Sequence, residues 1–260
     1  MVHDADDLDR AGMLAFARET RLSETTFVQE PTEVAADYRN RIFDVFEELP
    51  FAGHPSLGTA VAVARRRGES QASYLQQTVT GLQPINVEVN GDQARASMLQ
   101  PHAVFGEAID PLRAAAALSL SGGEIHPELP VCAGSTGLKH LLVPLRDRSA
   151  LSGADPVAGE HRALASAEGI FVVYAFVVDG ENVYARGFHD HLGGIAEDPA
   201  TGSAAGPLAA YVKQHAGPGQ ITIEQGAEMG RLSRIDAAVT KDGVTVGGEV
   251  VVVMDGQLAN

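Results

Sequence analysis

Two short passages hold residues whose types and spacing could do chemistry. In the C-terminal half, Glu197-Asp198-Pro199-Ala200-Thr201-Gly202-Ser203-Ala204 leads an acidic pair through a turn into an Ala-rich stretch. The N-terminal half carries a similar passage, Glu48-Leu49-Pro50-Phe51-Ala52-Gly53-His54-Pro55, with an acid, a proline and a Gly-polar pair before small apolar residues. A helix opening on such residues leaves its first backbone N–H groups free, and these attract a carboxylate or phosphate. Two such cassettes predict two similar lobes that present two helix N-termini to one cleft.

Other chemistries find little support. No G-x-G-x-x-G follows a strand, and none of Lys139, Lys213 or Lys241 follows a glycine, so dinucleotide and Walker A sites lack their signatures. His189-Asp190-His191 has metal-like spacing but no evident third ligand, and reads as a solvated loop; no metal site is expected. Cys132 is the single cysteine, which rules out an internal disulfide and a thiolate cluster and reads as a buried small hydrophobe. A net charge of −15 argues against nucleic-acid or anionic-membrane partners, while a helix N-terminus can still supply local positive potential for a small anion. The acidic start has no apolar core, and the longest apolar run, residues 170–178, is strand-sized, so a cytoplasmic protein is expected.

The 260 residues, 45% of them hydrophobic, can bury a core in one large domain or two ordinary ones. Asp6 or Asp7 could cap a helix over 8–20, followed by strands at 25–29 and 38–43. The first cassette then opens a helix that ends at Arg65-Arg66-Arg67-Gly68, cations at the negative dipole end and glycine just beyond. Strands at 73–79, 85–90 and 93–99 form a meander with a hairpin at Asn90-Gly91-Asp92, and Pro101-His102-Ala103 reads as a linker. The second half repeats the plan: helices at 110–118 and 157–165, a strand at 139–144, and a hairpin of 171–178 with 181–188 about Asp179-Gly180. The second cassette opens a helix to about Gln214, and strands follow at 219–224, 233–240 and 244–254. This is an α+β pattern of mostly antiparallel strands in two comparable halves, not a doubly wound parallel sheet.

Leu22-Ser23-Glu24-Thr25-Thr26-Phe27-Val28 and the two cassettes resemble the PhzF-like (phenazine biosynthesis-like) family, relatives of diaminopimelate epimerase and proline racemase. Arg41-Ile42-Phe43, Met98-Leu99-Gln100-Pro101, Gly137-Leu138-Lys139-His140, Gln225-Gly226 and Gly230-Arg231 fall in the same order, so the resemblance covers essentially the whole chain. It implies a diaminopimelate epimerase-like fold: two pseudo-symmetric lobes, each a curled sheet around a central helix, with the active site between them. The lobes would be 1–103, with 248–260 returning to it, and 104–247. Family members usually begin with a strand, a Gly-Asn-Pro turn and a second strand. Here that N-terminal hairpin is apparently missing, which would leave an exposed strand edge.

The epimerase relatives use two cysteines as acid and base. Ala52 and Thr201 stand at the matching positions, so a two-thiol mechanism is excluded. The resemblance instead makes Glu24 the acid–base group. A carboxylate partly shielded from water can take and return a proton near neutrality. By the same resemblance His54 and Asp198 orient the substrate or assist the transfer, with helix capping as their alternative role. Gly53, Gly202 and Ser203 would bind the substrate carboxylate, and Gln100 is a further candidate. The implied activity is a cofactor-independent isomerase acting on a small carboxylate, dihydro-hydroxyanthranilate-like. The competing reading is a catalytically silent carboxylate-binding protein of the same fold. A homodimer is a further expectation of the resemblance.

Overall fold

The computed structural model describes residues 1–191 and 194–257, with the side chain of His191 also outside the description. The chain divides into two compact units, one of residues 1–99 with 247–260 and one of residues 100–246.

Unit 1 begins with helix α1 (Arg10–Thr20) and strands β1 (Thr25–Gln29), β2 (Tyr38–Phe43) and β3 (Glu48–Leu49). Helix α2 (Gly53–Arg67) and strands β4 (Gln71–Thr78), β5 (Gly81–Asn90) and β6 (Gln93–Gln100, its last residue in unit 2) follow. Their order across the sheet is β1-β2-β4-β5-β6, with β3 paired to β2. α2 makes the crossover between the parallel strands β2 and β4, and β4–β6 is an antiparallel meander. Alternation along the strands gives each face a core. Ala60, Val61 and Ala64 of α2 pack with Tyr74, Ile85 and Met98, while Met13 and Ala17 of α1 cover Phe27 and Phe43. α2 ends as its sequence predicts: Gly68 takes φ 72° and its N–H returns to the Ala64 and Arg65 carbonyls.

Two expectations here are corrected. The cap of α1 is Asp9, whose carboxylate accepts from Gly12 N; Asp6 accepts instead from Glu30 N. The outer edge of β1 is also partly covered, since Val2 pairs in parallel with Phe27 and Ala5 N donates to the Val28 carbonyl.

Unit 2 contains β7 (Val104–Ala108), α3 (Pro111–Ala117), β8 (Cys132–Ser135), β9 (Lys139–Pro144), α4 (Arg148–Gly153) and α5 (Ala158–Glu168). It continues with β10 (Val172–Asp179), β11 (Asn182–His191), β12 (Gly194–Asp198), α6 (Gly202–His215), β13 (Gln220–Gln225) and β14 (Ser233–Val239). β15 (Val244–Val250) gives its first three residues to unit 2 and the remainder to unit 1. The strand order is β14-β13-β11-β10-β9-β8-β7, with β12 on β11. β9/β10 and β11/β13 are parallel, bridged by α4–α5 and by α6, and the other pairings named here are antiparallel. β10 is apolar along nearly its whole length because both faces are covered. Val173, Ala175 and Val177 face the α3–α5 layer, and Val172, Tyr174 and Phe176 face α6.

His189-Asp190-His191 ends β11 rather than forming a solvated loop, and Asp190 accepts from Arg162 Nε at 3.0 Å. The terminal strand stops at Val250, leaving Val251–Val253 outside any ladder. Cys132 is buried, and burial pushes its thiol up to about 11, as an inert hydrophobe requires.

Candidate active site

In unit 1 the candidate groups gather where α2 begins. Ala52, in extended conformation, is the N-cap and offers no side-chain hydrogen bond, so the first N–H groups of α2 lack the carboxylate cap that Asp9, Asp110 and Asp147 give to α1, α3 and α4. Gly53 and His54 are the first two helical residues. Glu24 immediately precedes β1, and its Oε2 lies 3.1 Å from His54 Nε2. The side chain of Glu24 is 22% exposed with Oε2 itself covered, whereas that of His54 is 53% exposed. A shielded carboxylate oxygen thus lies within ion-pair distance of a solvent-accessible imidazole. His54 belongs to this pair and is not the N-cap.

Ahead of α2, strands β2 and β3 are joined by an ion pair. Arg41 on β2 donates from Nε and Nη2 to the two carboxylate oxygens of Glu48 on β3, both at 2.7 Å. The hydrogen bonds of Arg41 hold Glu48 below the usual carboxylate range, and those of Glu48 raise Arg41.

In unit 2 the start of α6 is built differently. Thr201 is the N-cap and again supplies no side-chain cap, so Gly202 and Ser203 open the helix. Asp198 is the last residue of β12; its Oδ1 accepts from Ala200 N at 3.1 Å and its Oδ2 from Thr201 Oγ1 at 2.8 Å. Asp198 therefore closes its own turn and is not a helix cap. A Cβ placed on Gly202 would meet nothing within 4 Å, so no packing inside the protein demands glycine there. Close approach of a ligand is a physical reason for one.

Two residues behind this turn lack any prior role. Gln225, fully buried at the end of β13, accepts from Tyr174 Oη at 2.7 Å and from Thr201 N at 3.1 Å. Its Nε2 donates to the Asp198 carbonyl at 2.6 Å and to Thr201 Oγ1 at 2.8 Å. Arg186 on β11 grips Glu197 with Nε and Nη2 at 2.9 and 2.8 Å, and also donates to the carbonyls of Leu151 and Ala154. Gln100 is 3% exposed: it accepts from Thr136 Oγ1 at 2.6 Å and donates to the Gly202 carbonyl at 3.1 Å, so it braces the first turn of α6 from within. His140 is fully buried against the Ser203 carbonyl, whose usual helical donor is missing because residue 207 is a proline. Burial pushes the His140 imidazole down to about 3, opposed by that carbonyl.

Among the described residues no three His, Cys, Asp or Glu side chains converge as a metal ion would require. A cavity of about 310 Å³ lies at the C-terminal end of α2, lined by His3, Asp37, Tyr38 and Arg66 among others, and Glu24 is not part of its lining. Among the described residues no helix is long and apolar enough to cross a membrane.

A family model described as "phenazine biosynthesis-like protein" matches residues 1–256. The chain belongs to that family. Among its relatives is the trans-2,3-dihydro-3-hydroxyanthranilate isomerase of Pseudomonas aeruginosa, 38% identical over 238 residues, which are 90% of this chain and 81% of the relative. The phenazine biosynthesis-like chain superposes on the crystal structure of a Bacillus anthracis PhzF-family protein with TM-score 0.83 at 26% identity, covering 96% of this chain and 91% of that one. A probable proline racemase from Agrobacterium radiobacter shares the fold at TM-score 0.61 and 12% identity, over 95% of this chain and 82% of that one. The family and its named relatives make this phenazine biosynthesis-like chain an isomerase.

Proposed function

We propose that this protein isomerises a small carboxylate by moving one proton off and back onto its carbon skeleton, with Glu24 as the group that carries it and no cofactor in the step. The observation behind this reading is the 3.1 Å approach of His54 Nε2 to the covered Oε2 of Glu24. As a carboxylate, Glu24 takes a proton from a carbon made acidic by neighbouring unsaturation. As an acid it returns the proton to another carbon of the same delocalised system, so charge and composition are unchanged. His54 orients the Glu24 oxygen and stabilises its charge. Gly53 at the start of α2, and Gly202 with Ser203 at the start of α6, offer N–H and hydroxyl donors to the substrate carboxylate. Asp198 has acceptor capacity left after its two turn contacts, enough to receive an N–H or O–H of the substrate.

The named relative supports a substrate class for this proposal: a trans-2,3-dihydro-3-hydroxyanthranilate-like molecule, small, anionic and unsaturated. The test is turnover of that compound and of related cyclic dienoic acids by the wild-type chain and by Glu24→Gln. Turnover that vanishes with Glu24 supports the reading. Tight binding without turnover by a folded wild-type protein would replace it with the silent binding protein.

A further inference from the structure

The turn that bears Asp198 is held by a buried side chain on another strand. Gln225 uses both ends of its amide: two bonds accepted, from Tyr174 Oη and Thr201 N, and two donated, to the Asp198 carbonyl and Thr201 Oγ1. Thr201 Oγ1 in turn donates to Asp198 Oδ2, so backbone and carboxylate of Asp198 are tied to the same amide. The strand between has made room for this contact. A Cβ on Gly187 would stand 2.6 Å from Thr201 Oγ1, 3.2 Å from Gln225 Nε2 and 3.3 Å from the Tyr174 ring. Beyond Gln225, Gly226 has φ 82°, and a Cβ there would strike the Arg231 carbonyl at 2.3 Å and the Pro199 carbonyl at 3.1 Å. Burial holds the Tyr174 phenol above its ordinary value, so it stays a donor throughout the working pH range.

We infer that Gln225 is a positioning residue: its amide, backed by the Tyr174 hydroxyl, sets the 198–201 turn so that the Asp198 carboxylate and the first N–H groups of α6 are aimed at the substrate. The inference rests on the substrate-binding role given to Asp198, Gly202 and Ser203 above. A buried amide with all four positions used has one low-energy pose, and loss of any partner leaves polar groups unsatisfied in the interior. The hydrogen bond of Tyr174 reaches the turn through Gln225, whose Oε1 accepts from its hydroxyl.

The experiment combines backbone hydrogen exchange with kinetics on Gln225→Ala, Tyr174→Phe and the double variant. Circular dichroism and exchange in β10 serve as the check of folding. In Gln225→Ala, exchange at the amides of 200–202 should rise about tenfold or more while β10 is unchanged. KM should rise by at least about tenfold, with kcat changing less than about threefold, because the proton-transfer pair in unit 1 is untouched. Tyr174→Phe should raise KM about threefold alone and add nothing in the Gln225→Ala background, the signature of two residues acting as one unit. Unchanged exchange at 200–202 in folded Gln225→Ala, or a Tyr174→Phe effect that simply adds, overturns the inference. If Gln225→Ala does not fold, Tyr174→Phe decides: unchanged exchange at 200–202 overturns the inference, and faster exchange confined to them supports it. Exchange is read without substrate, so absence of turnover in the wild type would sink the proposed reaction while these amides still report on the turn.

Discussion

In unit 1 Arg41 grips Glu48, and in unit 2 Arg186 grips Glu197, each arginine two residues ahead of the phenylalanine that pairs with that glutamate across the ladder. Each guanidinium also lies near the ring of its phenylalanine, at 5.3 Å from Phe43 and 4.9 Å from Phe188. The same bracket folds two short strands, β3 and β12, back against β2 and β11, and each cassette then enters an uncapped helix. Past the bracket the two diverge. Unit 1 places Ala52 before the glycine and leaves a half-exposed His54 beside Glu24. Unit 2 places Thr201 there and fills the space behind with Gln225 and Tyr174, all internally hydrogen-bonded. The bracket that shapes the turn is thus separable from the side chains that act. One copy of the frame sets a shielded carboxylate beside a half-exposed imidazole, and the other holds its turn with a buried network of donors and acceptors.

That division predicts unequal costs. The largest falls on Glu24: Glu24→Gln should lower kcat by about 10³-fold with an unchanged melting temperature, measured by turnover and calorimetry. Breaking the bracket should cost stability instead. Arg186→Leu strands a nearly buried Glu197 and three carbonyl contacts, and should destabilise by about 3 kcal/mol in urea unfolding; a neutral result would separate the bracket from the fold. His140 gives a pH-dependent counterpart. Its folded value of about 3 lies below the unfolded 6.5, so the unfolded chain binds the proton first and stability falls as pH drops through that window. Urea melts at pH 7 and pH 5 should show about 2 kcal/mol of this loss, removed in His140→Leu. The smallest expected structural effect belongs to Gly202→Ala, which should cost under about 1 kcal/mol because nothing meets the added Cβ. If Gly202 is there to admit a ligand, the same variant raises KM well beyond that, and an unchanged KM would remove the helix start from substrate binding.

Much of this frame was readable in the chain. The basic run with Gly68 marked the end of α2, Asn90-Gly91-Asp92 and Asp179-Gly180 marked the hairpins, and the small residues after each proline marked α2 and α6. The short strands β3, β7, β8 and β12 were not, because two to five residues carry no periodicity and their pairing is set by partners far along the chain. Arg186 was missed for the same reason, although Arg41-Ile42-Phe43 and Arg186-Gly187-Phe188 repeat the Arg-x-Phe signal ahead of each cassette. Gln225 was visible only as a motif residue, since nothing local reveals that its amide meets Thr201. Glu24 and His54 are neighbours only once β1 and α2 are folded, and spacing alone gives no sign of it.

The claim that Glu24 carries the proton is tested most directly by solvent deuterium. The proposed substrate would be converted in D₂O by the wild type, Glu24→Gln and Asp198→Asn, and the isotope followed in substrate and product by NMR. The account predicts deuterium incorporation by the wild type and, more slowly, by Asp198→Asn, with none above background in Glu24→Gln. Incorporation by Glu24→Gln at the wild-type rate would contradict it and pass the proton to another group.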